Sequence, residues 1–244
     1  MKHPLWTTVG ALVAIGGLAV AYFQMTGGAK PAALAVANVS FQSPTPIDAR
    51  AGGSDTAEAD WESTTAPATP IDISLKNNGG APAHIVRIET KVLDAKTVTC
   101  NRQGGGSVVS AYYGVKVPYN PWSGELSGDA VTTAVDYTVK AGSVDRMVVT
   151  VGPEESGNEK AIVLAVQLSL IPEQGKPIVL EPLALTQPDS VDNEIQSNAM
   201  FDTKHTDPQC FQEQVGTLGN IIRATKMQSP DVLRLRDDFQ GKTT

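Results

Sequence analysis

The residues of this 244-residue chain best suited to chemistry are two cysteines and three histidines, and their spacing limits what that chemistry can be. His3, His84 and His205 stand far apart, and neither a His-x3-His nor a Cys-x2-Cys spacing occurs, so no zinc ligand set is written locally. There is no Gly-x-Ser-x-Gly elbow, and Gly104 to Ser107 lacks the strand-to-helix context a nucleophile needs. Asp189, Asp192, Asn193 and Glu194 are the densest set of oxygen ligands. They lack the EF-hand spacing and its glycine, and read as a solvated acidic turn rather than a calcium loop. The sequence names no catalytic residue, cofactor or metal ligand, and the chain reads as non-enzymatic.

Two features remain. Cys100 and Cys210 are expected to form a disulfide if the chain is exported, since thiols oxidise there. Closing so long a loop stabilises a fold by roughly 4–5 kcal/mol in the chain-entropy picture. Tyr112 and Tyr113, followed by Pro118-Tyr119-Asn120-Pro121-Trp122, form the most aromatic stretch beyond the N-terminus. Aromatic residues on a rigid loop are a common gripping device, so Tyr112, Tyr119 and Trp122 are candidate binding residues. The competing reading has Trp122 and one tyrosine plugging the end of a core.

Export rests on Leu5 to Phe23, an apolar run with no charge between His3 and Lys30. As a helix it would measure about 28 Å, close to the ~30 Å hydrocarbon core of a bilayer. Lys2 precedes the run, which favours an N-in, C-out single-pass anchor. Ala19-Val20-Ala21 also reads as a small-x-small cleavage site, so a signal peptide is the rival. Gly10, Ala14, Gly17 and Ala21 fall at spacings of four, three and four, a small-residue face against which another helix could pack. Beyond Lys30 the chain carries 17 basic against 26 acidic side chains, a balance that argues against nucleic acid or anionic lipid as partner and leaves a protein.

The elements that must position these residues are mostly strands. Ala33 to Phe41 alternates weakly, with Ala35, Ala37, Val39 and Phe41 on one face. Gln42 to Pro70 is rich in Pro, Ser, Thr and acids and reads as an irregular, solvated segment holding one aromatic, Trp61. Ile71, Ile73 and Leu75, then Val86, Ile88, Thr90 and Val92, define two amphipathic strands joined through Asn77-Asn78-Gly79-Gly80. A strand from Val108 to Val117 follows, with Val109, Ala111, Tyr113 and Val115 on one face, then a hairpin formed by Val131 to Lys140 and Arg146 to Val151. Ala161 to Ile171 is apolar on one face and mixed on the other, which marks a central strand. Ile178 to Leu185 contains Pro182 and reads as an edge.

Two helical stripes close the chain: Phe211, Val215, Leu218 and Ile222 after Asp207-Pro208, and Val232, Leu235 and Phe239 after Ser229-Pro230. The Ile71 to Leu93 strand pair resembles one found in exported immunoglobulin-like and related sandwich domains; the resemblance implies an architecture and carries no functional residue with it. The expected molecule is mainly β, an antiparallel β-sandwich of immunoglobulin-like architecture. It is divided into an anchor or signal (1–30), a first strand with a flexible acidic segment (31–70), the sandwich (71–186) and a helical tail (187–244). Its expected work is binding, as a membrane-anchored accessory protein in a membrane or cell-surface complex, or as a secreted ligand-binding module; a third alternative, an enzyme of unidentified type, has no residue constellation behind it.

Overall fold

The structure, a computed structural model, describes residues 30–53, 57–100, 107–121, 123–157, 160–200 and 208–243. Of these, 51% lie in strands and 23% in helices, which makes the chain mainly β, with several antiparallel sheets. The strands begin with β1 (Leu34–Phe41), β2 (Thr45–Gly53), β3 (Glu62–Ala68), β4 (Ile71–Asn77), β5 (Ala83–Val98) and β6 (Ser107–Ala111). They continue with β7 (Val115–Val117), β8 (Tyr119–Asn120), β9 (Glu125–Leu126), β10 (Ala130–Val139), β11 (Val144–Val149) and β12 (Val151–Pro153). Next come β13 (Ser156–Gly157), β14 (Ala161–Pro172), β15 (Ile178–Val179) and β16 (Leu183–Thr186), with β17 (Met227–Gln228) between the last two helices. The α-helices are α1 (Pro188–Met200), α2 (Pro208–Ala224) and α3 (Pro230–Gly241), with a 3-10 turn at Glu58–Asp60.

Three sheets matter most. One runs β1-β4-β11, a larger one β10-β5-β14-β16-β17, and a third β13-β6-β2-β3. Alternation along the strands decides what each face meets. Ile71, Ile73 and Leu75 of β4 and Met147 and Val149 of β11 share one buried cluster with Ile85, Ile88 and Val92 of β5 and the even-numbered apolar positions of β14. The other face of β14, Ala161, Val163 and Ala165, lies under Phe211, Leu218, Ile221, Val232, Leu235 and Phe239 of α2 and α3. The central strand is therefore covered on both sides, and the helical stripes pack on the chain's own sheet. Each fully buried Leu or Ile contributes roughly 1.5–3 kcal/mol.

Several expectations change. In β1 the apolar face is Leu34, Val36, Val39 and Phe41, because a bulge at Ala37 switches the parity; Ala35 and Ala37 are exposed. Bulges at Val86 and Leu93 do the same in β5, so Ile85 and Ala95 join the buried set and Leu93 is 39% exposed. Thr45–Gly53 and Glu62–Ala68 pair as strands rather than forming an irregular segment. The joined strands of Ile71 to Val92 and the expected hairpin are both crossings between sheets: β4 pairs with β1 and β11, whereas β5 and β10 belong to the larger sheet. Pro182 sits in a break before β16, whose outer side is covered by β17.

Asn77 holds both crossings. Its Oδ1 accepts from the amides of Ala33 (3.1 Å) and Gly79 (2.9 Å), and its Nδ2 donates to the carbonyls of Ala81 (2.9 Å) and Val139 (3.2 Å). Its own amide donates to Ser143 O in the β10–β11 turn. The side chain is fully buried and has filled its hydrogen-bonding capacity. Gly79 must be glycine for space: a Cβ there would lie 2.2 Å from the Pro31 carbonyl.

Candidate functional site

The strand directions give the molecule two ends. β1 begins, β4 ends and β5 begins where the chain enters at Lys30, whose carbonyl accepts from the Gly80 amide (3.0 Å). β5 then runs sixteen residues, about 50 Å at a strand's rise, to the opposite end. There the disulfide and the tyrosine-containing loop lie.

Cys100 and Cys210 are joined, with Cα atoms 5.9 Å apart, tying the end of β5 to the first turn of α2. Beside the bridge Glu194 of α1 is completely buried. One carboxylate oxygen accepts from the Cys100 amide (3.2 Å) and the other has no hydrogen-bond partner among the described residues. Burial raises its pKa to about 7 against the lowering effect of the Thr99 side chain and the Cys100 amide; the charge of Asp238 adds a smaller upward push. The acidic stretch is thus helical rather than a solvated turn. Asp192 pairs with Arg234 (2.6 Å), and Arg234 also reaches Asp231 (3.0 Å), which accepts from Thr69 (3.1 Å). Asp192 and one carboxylate oxygen of Glu194 are engaged within the fold, and among the described residues no group of three or more potential ligands converges on a metal position. Pro188 at the helix start and the Val191–Ile195 spacing are the signals that mark α1 in the sequence.

The candidate binding residues separate. Tyr119 is 3% exposed; its hydroxyl donates to Thr97 Oγ1 (2.9 Å), which donates in turn to Pro121 O (3.3 Å). Tyr113 is buried with its ring against Gly152, where a Cβ would lie 2.2 Å away, and its hydroxyl accepts from Gln187 Nε2 (3.1 Å). Burial pushes its pKa up to about 12. Of the described candidates, Tyr112 is the one that faces solvent, 51% exposed, with the Lys116 ammonium 5.0 Å from its ring centre. Trp122 lies outside the described residues, as do His205 and the small-residue face Gly10, Ala14, Gly17 and Ala21. Pro118, Tyr119, Asn120 and Ser127 border a shallow cleft of about 220 Å³ with Glu154 and Glu155 on its rim. Trp61 lies over Gly52 on the third sheet.

One arrangement is invisible in the sequence. His84 Nδ1 lies 2.8 Å from Thr138 Oγ1, its cross-strand neighbour, and Nε2 lies 3.5 Å from Asp136. A hydrolase triad has these residue types but buries its acid; Asp136 is 91% exposed and solvent screens its charge. The set reads as cross-strand pairing on an open sheet. Among the described residues no helix is long and apolar enough to cross a membrane, and Leu5 to Phe23 lies outside them. Comparison with family models, with curated proteins and with solved structures returned no match.

Proposed function

We propose that the chain is a membrane-anchored, exported binding or accessory protein. Its strands would form an immunoglobulin-like β-sandwich backed by a helical layer, and it would act as partner in a membrane or cell-surface complex. The observation that carries this reading is the separation of the two ends. The chain enters at Lys30, seven residues after the apolar run, while the disulfide, exposed Tyr112, and the cleft beside Glu154 and Glu155 belong to the far half of the fold. Such a layout would present loops to a protein partner well away from the bilayer. The Cys100–Cys210 bridge supports an oxidising compartment.

Purification in mild detergent tests it. A partner should accompany the wild-type protein and be lost from a Tyr112→Ala, Glu155→Lys variant that folds normally. A protein that is recovered alone, or a partner equally retained by the variant, counts against the far end as the binding surface. The second reading, a secreted module released after Ala21, draws on the fact that β1 starts at Leu34, so cleavage would leave every described strand intact.

A further inference from the structure

The net negative charge argues against an anionic surface as partner only if charge is spread evenly, and it is not. Four lysines gather at the end where the chain enters. Lys30 lies against Gly80; Lys76 precedes Asn77 and pairs with Ala35; Lys140 closes the β10–β11 turn by accepting from Ser143; Lys176 lies in the β14–β15 turn. All four are exposed and none forms an ion pair with a described residue. The acids at this end are Glu173, Asp145 and Asp136, the last beside His84, which leaves a small cationic excess. Acids outnumber bases over the rest of the exported chain, and the far half carries Asp94, Glu125, Asp129, Glu154 and Glu155.

A shallow cleft of about 270 Å³ opens at the same end, with walls from Ala32, Leu34, Ala83, Pro172 and Ile178 and one cation, Lys176. The lining mixes these apolar side chains with Gln174 and the backbone of the Gly175 turn under a single ammonium, which suits the headgroup region of an anionic amphiphile. The tether limits distance as well: seven residues from Phe23 to Lys30 reach at most about 25 Å when extended. Lys30 would therefore lie no more than about 25 Å from the end of an inserted Leu5 to Phe23, which lets these lysines reach the headgroups, whose attraction fades over roughly 8–10 Å.

We propose that this lysine-bearing end, with its cleft, is a docking surface for an anionic phospholipid bilayer, fixing the anchored domain upright on the membrane. The proposal rests on the anchored reading above. The test reconstitutes the full chain in vesicles of phosphatidylcholine alone or with 30% phosphatidylglycerol, and follows acetylation of each lysine by peptide mass spectrometry. Flotation after alkaline wash reports insertion separately.

Lys30, Lys76, Lys140 and Lys176 should react at least about threefold more slowly in the anionic vesicles, with the difference abolished by 0.5 M salt and with Lys226 and Lys242 unaffected. In a Lys140→Gln, Lys176→Gln variant, protection of Lys30 and Lys76 should fall. Equal reactivity in both vesicle types, with the chain inserted, overturns the docking surface and leaves the anchor standing. Loss of the chain on alkaline wash overturns the anchor, and the docking surface with it.

Discussion

Two buried polar side chains govern stability at the residue scale. Asn77→Ala removes four hydrogen bonds at once and strands the buried Gly79 amide and Val139 carbonyl at a corner where two sheets meet. Unpaired buried groups cost about 1–3 kcal/mol each, so a loss of roughly 3 kcal/mol or more is expected from urea denaturation. Glu194 acts through pH. Its folded pKa, about 7, stands above the unfolded value near 4.5, so the folded chain holds the proton more tightly between those limits. Stability from this group is full below the lower value, falls as pH rises to 7 and is level beyond, a change of about 3 kcal/mol. Glu194→Gln cannot lose a proton. Its stability relative to wild type should rise between pH 5 and pH 8, and a constant difference would show that Glu194 does not titrate there. Neither residue announces itself in the sequence: Asn77 looks like a turn former and Glu194 like one more exposed acid.

At the scale of elements, the helices are a structural layer, since their apolar stripes complete the second core on β14. Leu218→Ala should cost about 2–5 kcal/mol and move the whole denaturation midpoint at unchanged slope. A separate early transition would mean that the layer unfolds by itself. The period-two signal made β4, β10, β11 and β14 legible, because each keeps one apolar face for its full length. It misplaced the inward residues of β1 and β5, since one extra residue at a bulge inverts every position after it. Strand neighbours were less readable still. A tight turn such as Lys140 to Ser143 looks the same whether the chain folds back in its own sheet or crosses to the facing one, and only Asn77, distant in sequence, distinguishes them. β2 and β3 were hidden by small and polar side chains that pack around Ala49, Ala68, Ala111 and Tyr113.

The whole molecule is organised by its two ends, joined by the length of β5. Of the residues proposed for binding, one tyrosine supports the core and one faces solvent, a division set by tertiary contacts with Thr97 and Pro121 that spacing cannot reveal. The central claim is that the described fold stays attached to its apolar N-terminus in an oxidising compartment. Intact mass of the protein from the membrane fraction, alkylated without reductant, tests it most directly. The account predicts a chain retaining Met1, two hydrogens lighter than the reduced sequence and carrying no alkyl group. A soluble chain beginning after Ala21, or two alkylated cysteines, would contradict it.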